Sequence, residues 1–131
     1  MALSTYLANK LLDHAIGKTA FTLPATVFMG LFTSNPTAAN TGTEAAFTGY
    51  ARVSIPAATF AAATAGGSSN ANAIPFPSMT AGTSQVIGWW ATFDASSVGN
   101  MLEFGALGST VTYQVGGTET FNTGGLSRTA A

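Results

Sequence analysis

Leu3, Leu7, Leu11, Leu12, Ala15 and Ile16 recur at a spacing of three and four, and so form one apolar stripe on a helix, with Asn9, Lys10 and Asp13 on the wetted side. Ser4 can cap the start, Gly17 sits where a left-handed C′ glycine belongs, and Lys10 and Lys18 lie near the negative end of the helix dipole. These signals predict a helix over residues 3–17. A helix of that length is marginal alone in water and must pack on something.

Beyond Pro24 the period changes from about 3.6 to 2. The run Thr26–Thr33 is β-branched and aromatic at nearly every position, which predicts a strand buried on both faces. Ser34-Asn35-Pro36-Thr37 signals a turn, and a polar loop runs on to about Gly49. Tyr50–Ile55 predicts a second strand, with Ala51, Val53 and Ile55 on one face, ended by Pro56. Thr59–Ala65 is a third, Ala-rich candidate, and Gly66-Gly67-Ser68-Ser69-Asn70 reads as a turn. Ala73-Ile74-Pro75-Phe76-Pro77 is extended and apolar, and its prolines keep it out of a central ladder.

Gln85–Phe93 is the strongest late strand. Strict alternation places Ile87, Trp89, Ala91 and Phe93 on one face and Val86, Gly88, Trp90 and Thr92 on the other. Asp94–Asn100 is a turn and Met101–Leu107 the next strand. Gly116-Gly117 predicts a two-residue hairpin between Thr110–Val115 and Thr118–Phe121. No pattern follows Asn122. The chain thus predicts one mainly β domain over residues 1–131. Its helix spans 3–17, an antiparallel β-sandwich (jelly-roll-like) of about six to eight strands spans 24–121, and a tail occupies 122–131.

Charge changes the picture most. Only 7% of the 131 residues are charged, four Lys/Arg against five Asp/Glu, where soluble domains average about 25%. Ala, Thr, Gly and Ser fill just over half the chain. Spread over the ~6,400 Å² expected for a monomer of this size, the charges come to roughly one per 700 Å². Such a surface is cheap to desolvate and loses little side-chain entropy on contact, which suits a protein packed against copies of itself or a larger assembly. Four basic residues cannot neutralise a run of phosphates, so a nucleic-acid partner is not expected. An aromatic content of 11% within a 47% hydrophobic chain excludes disorder. No run approaches the ~18 apolar residues of a membrane span, and the first residues lack a basic, apolar signal-peptide pattern, so neither membrane nor signal sequence is expected.

Candidate chemistry is sparse. Without cysteine and with one histidine, His14, neither a thiolate nor a two-histidine metal site can form within one chain. Asp13 is adjacent to His14 but does not share its helix face. No nucleophile elbow and no phosphate-binding glycine loop occurs. Glu103 and Glu119 are the one carboxylate pair that neighbouring strands could bring together. We expect no enzyme, no cofactor and no metal. Trp89-Trp90 is more informative, because adjacent strand residues face opposite ways. One tryptophan belongs to the core, and the other needs a cover: the helix, a second layer or another subunit. Leu7 and Leu11 of the helix stripe, with Trp89 and Trp90, are the candidate interface residues.

Four stretches carry a resemblance. These are Leu7–Lys18, Val27–Thr37, Tyr50-Ala51-Arg52, and Phe93-Asp94-Ala95 with Gly99–Leu107. In this order, over residues 3–121, the chain resembles the small "tail fibre protein" family of tailed bacteriophages, and departs from it after Phe121. The resemblance implies a virion structural protein assembled in the bacterial cytoplasm, with no catalytic residue. A chain this short cannot form a repetitive fibre shaft. The expectation is therefore an accessory subunit, with capsid decoration or cement favoured, and a small tail-fibre or tail-attached protein in host recognition as the alternative. Its expected partners are other copies of itself, as a trimer in the family style, and the major capsid protein or tail proteins of the same virion. A sugar-binding β-sandwich module is a further alternative. It would place aromatics in exposed loops, whereas here they lie mostly in strands.

Overall fold

The computed structural model of the chain describes residues 1–130. One antiparallel sheet organises it, with strand order β1(Ala2–Leu3), β7(Met101–Tyr113), β6(Gln85–Phe93), β2(Val27–Phe32), β3(Val53–Ile55). Two short ribbons, β4(Gly67–Ser69) with β9(Ser127–Thr129) and β5(Ile74–Pro75) with β8(Thr120–Phe121), supply a second layer. The expected antiparallel, sandwich-type β fold with one N-terminal helix forms, its second layer built from ribbons and loops.

β2 is buried on both sides, as its unbroken apolar run predicts. Met29 and Leu31 join a large cluster with Ile55, Ile74, Phe76, Met79, Ile87, Trp90, Tyr113, Phe121 and Leu126, which lies between the sheet and the ribbons. Phe32 joins a smaller cluster with Ala91, Phe93, Met101 and Phe104 on the other face.

Helix α1 spans Thr5–Ala15, shorter than predicted, because Leu3 is held in β1 opposite Glu103. Ser4 caps it: the hydroxyl accepts the Leu7 N–H at 3.0 Å and donates to the Met101 carbonyl, fastening the helix start to β7. Gly17 takes the left-handed conformation expected of it, at φ +72°.

Several expectations are corrected by long-range pairing. Gly67–Ser69, read as a turn, is a strand, because Ser127–Thr129 of the supposedly patternless tail pairs with it. Thr59–Ala65 makes no continuous strand; one turn of 3₁₀ helix covers Ala57–Thr59 and only isolated bridges follow. Met101–Leu107 and Thr110–Tyr113 are one strand. Gly116-Gly117 does turn the chain, but Met79 binds both sides of that turn, its carbonyl accepting from Gly116 and its N–H donating to Gly117. Thr120–Phe121 is thereby directed to β5, and the hairpin does not form.

The face assignment of β6 also changes. Residues Leu107 to Thr110 of β7 stand opposite the single residue Gly88, so the register shifts between Ile87 and Trp89. The side-chain alternation breaks there, since a bulge reverses which face later residues occupy. Ile87 therefore shares the large cluster with Trp90, while Trp89 goes with Ala91 and Phe93.

The tail is pinned by Asn70, only 1% exposed. Its amide NH₂ donates to the carbonyls of Asn72, Phe121 and Asn122, and its carbonyl oxygen accepts the Leu126 N–H at 2.9 Å. Replacing it strands several buried backbone groups. Asn70→Ala is expected to destabilise the fold by about 3 kcal/mol, read from urea denaturation. A change under ~0.5 kcal/mol, the scale of an ordinary surface substitution, would show that the tail is held by other means.

Candidate functional site

The apolar stripe of α1 forms, but most of it faces outward. Leu7 alone is buried, while Leu11 is 39%, Leu12 67% and Ile16 78% exposed. The helix docks through its capped first turn and then leaves the sheet. The segment after it folds back, with the Phe21 N–H donating to His14 Nδ1 at 3.1 Å. Leu23 is left 77% exposed. Leu7, Phe21, Leu23, Pro24, Phe60 and Leu102 line a shallow groove of about 250 Å³ beside this ridge.

Of the four candidate interface residues, Leu7 and Trp90 lie inside the subunit, Trp90 at 2% exposure. Trp89 is partly covered by the smaller cluster, and no helix side chain belongs to either cluster. The helix is thus not the cover of either tryptophan. Leu11 remains half-exposed on the ridge.

Charge is distributed in a way the sequence does not reveal. Glu44 and Arg52 form an ion pair, as do Glu103 and Arg128. Among the described residues these are the ion pairs found, so five of the nine charged side chains stand outside them. Lys10, Asp13 and Lys18 sit on or beside α1, and Asp94 is bound to the N–H and side-chain amide of Asn100. Glu119 is half-buried, and burial raises its carboxyl above the usual carboxylate range. A surface of 7022 Å² therefore carries almost no free charge away from the helix.

The Glu44–Arg52 pair is the most connected polar site, and sequence reasoning did not single it out. Arg52 Nε and Nη2 bind the two Glu44 oxygens at 2.8 and 2.7 Å, a fork-on-fork geometry. Arg52 Nη1 donates to the carbonyls of Ala95 and Val98, and the guanidinium lies 3.4 Å over the Phe93 ring. The Tyr50 hydroxyl donates to Glu44 Oε1 at 2.7 Å and accepts the Leu31 N–H at 3.0 Å. Burial, then the Glu44 carboxylate, pushes the Tyr50 phenol far above its ordinary pKa, so it stays protonated and keeps donating. Gly30 makes room for this: a Cβ there would stand 2.7 Å from Glu44 Oε1. The available signals were Gly30 inside an otherwise bulky strand and the Tyr50-Ala51-Arg52 run.

Glu103 is buried and bound by Arg128, whose Nε reaches Oε2 at 2.7 Å. Glu103 and Glu119 line different clefts, so they do not make the paired-carboxylate arrangement weighed from sequence. Among the described residues no cluster of three potential metal ligands occurs, and no helix is long and apolar enough to cross a membrane.

Removing one partner of the Glu44–Arg52 pair leaves a mostly buried cation. Glu44→Ala is expected to cost about 2–3 kcal/mol, toward the low end for a buried pair because Glu44 is partly exposed. The double variant Glu44→Ala/Arg52→Met should recover part of that loss, and a double-mutant cycle by denaturant unfolding measures the coupling. Additive single effects would show that the pair does not act as a unit.

The model of the Gp80 family, described as podophage GP4 fiber I protein gp80, matches residues 2–129. No curated protein matches the chain. The match runs from β1 through β9, including the C-terminal strand that the earlier resemblance did not reach. The chain is therefore a phage virion structural protein, and it belongs to the podophage fiber I family.

Proposed function

We propose that this chain is a small tail-fibre subunit that works as a symmetric homo-oligomer, held to its copies and to neighbouring tail proteins by apolar contacts rather than by charge. The observation that carries this reading is the family match over residues 2–129, and the fibre description favours the tail over decoration of the head. The charge-poor surface and the outward ridge of α1 support self-association. Apolar surface buried at an interface contributes roughly 25 cal/mol per Å² before the costs of association. Leu12, Ile16 and Leu23 are large side chains with nothing of their own chain to cover them. A closed ring of copies hides such a ridge on every subunit, and a trimer is the simplest ring beyond a dimer. Many such modest contacts repeated around a fibre hold firmly through multivalency. The function is mechanical, and no chemical step is assigned to it.

Two measurements test this. The copy number per purified particle should be small and symmetric, about three, six or twelve; hundreds of copies would assign the protein to the head lattice instead. Leu12→Glu and Ile16→Glu should leave the fold intact, because both side chains are exposed. They should also convert the oligomer to monomer in sedimentation and remove the protein from particles. A wild-type chain that sediments as a monomer at micromolar concentration and is missing from particles would overturn the proposal.

A further inference from the structure

The exposed apolar side chains divide between the two ends of the longest strand. Leu12, Ile16 and Leu23 make the ridge around α1, which starts at the Met101 end of β7, where the Ser4 N–H and hydroxyl donate to the Leu102 and Met101 carbonyls. Val86 and Val115 are exposed at the other end of that strand, which is 13 residues long, or up to roughly 40 Å at the rise of a β-strand. Val86 pairs with Thr112 near the start of β6, and Val115 sits in the turn after Tyr113, closed by the Gly117 N–H on the Gln114 carbonyl. Glu119 follows two residues beyond this turn. Burial first, and the nearby Glu119 carboxylate after it, raise the phenol of Tyr113, the last residue of β7.

The charges outside ion pairs divide in the same way. Arg52 and Arg128 are taken by Glu44 and Glu103, so the remaining lysine and arginine side chains are Lys10 and Lys18, both on or beside α1. Lys10 lies over the Tyr6 ring at 5.7 Å. Lys18 is exposed, two residues beyond Ile16, and is the cation open to a partner. Of the acids outside the ion pairs, Asp13 belongs to the helix and Asp94 is bound by Asn100. Glu119 stands away from α1. The Met1 ammonium lines the same cleft as Glu119 and forms no ion pair with it among the described residues. Partial burial holds the Glu119 carboxyl above the usual carboxylate range, as a carboxylate short of a counter-charge requires.

We propose that α1 of one copy seats on the Val86–Val115 end of the next, with Leu12 and Ile16 against the two valines and Lys18 beside Glu119. The inference rests on the self-association proposed above and names its two faces. Ridge against ridge is the alternative within that reading. It brings the lysines of both copies into one contact, which is repulsive, and it leaves Val86 and Val115 bare. Unlike faces at opposite ends of one strand make a head-to-tail contact instead. Such a contact closes into a ring when the rotation between copies allows it, and otherwise runs on as a filament. The apolar side chains supply the affinity. The Lys18–Glu119 pair fixes the orientation, because interfacial charges contribute to specificity more than to binding strength.

The test uses the full chain and sedimentation velocity. Val115→Glu should leave the fold intact, because the side chain is exposed, and should convert the oligomer to monomer as Ile16→Glu does. Val86→Glu, on the neighbouring strand, should act likewise, so the result does not hang on one turn. An equal mixture of Ile16→Glu and Val115→Glu chains holds one intact ridge and one intact patch for each pair. It should form a one-to-one complex and nothing larger, at concentrations where either variant alone is a monomer. Lys18→Glu sets two carboxylates against each other and should weaken association about tenfold. Adding Glu119→Gln to that chain removes the repulsion and should recover most of the loss. A parent chain that is itself a monomer overturns the self-association. A parent oligomer that survives both Val115→Glu and Val86→Glu leaves the self-association standing and overturns this assignment of its faces. The assignment falls too if the mixture stays monomeric, or if Glu119→Gln recovers nothing in the Lys18→Glu chain.

Discussion

The Arg52 guanidinium, flat on Phe93 and clamped by Glu44, is the interaction on which much of the remaining architecture depends. It joins the loop bearing Glu44, the turn at Ala95–Val98 and the central strand β6. β3 covers β2 only from Val27 to Met29, so the edge beyond would be open. Tyr50 takes the Leu31 N–H, the Ala45 N–H binds the Leu31 carbonyl, and Phe32 bridges to Glu44. An exposed edge of this apolar composition would invite pairing with another chain, and the polar clamp closes it. The same clamp explains a glycine in the middle of the most apolar strand: only Gly30 leaves space for the carboxylate.

Internal pairing of charge also shapes the outside. A chain with so few ionised groups directs two acid–base pairs inward, one at Glu44–Arg52 and one at Glu103–Arg128. Arg128 ties the C-terminal strand to β7 and stacks near Phe60 at 4.9 Å. The exterior left behind is small-residue, hydroxyl-rich and almost neutral. Such a surface has no long-range field to steer or repel a partner, so the association proposed above would rest on shape and apolar burial. That suits a subunit of a permanent assembly. The ridge of α1 is the part of the surface where large apolar side chains and free charges lie together.

One irregularity in the β6–β7 ladder has three consequences. It assigns Trp90 to the main core and Trp89 to the opposite face. It lets Ile87 share a cluster with Trp90 despite their odd spacing. It also leaves Leu107 to Thr110 of β7 out of the regular ladder, and Leu107, Gly108 and Ser109 line the cleft beside Trp90. A regular ladder would have kept the side-chain alternation through this stretch.

The sequence alone determined what depends on near neighbours. Ser4 caps the helix and Gly17 ends it, because both act within one turn. Gln85–Phe93 is a strand with those bounds, and β2 is buried on both faces, because β-branched and aromatic runs state their own preference. Family membership was also legible in four ordered stretches. Tertiary structure decided the rest. Gly67–Ser69 and Ser127–Thr129 have almost no intrinsic strand preference and become strands only by pairing with each other across some 60 residues. Glu44 and Arg52, or Glu103 and Arg128, read as solvated charges until the fold brings them within hydrogen-bond reach. The outward stripe of α1 could not be foreseen, since amphipathic spacing marks a face that needs covering without saying what covers it. Local preference is written residue by residue, whereas burial, partner choice and register are set by contacts between segments far apart in the chain.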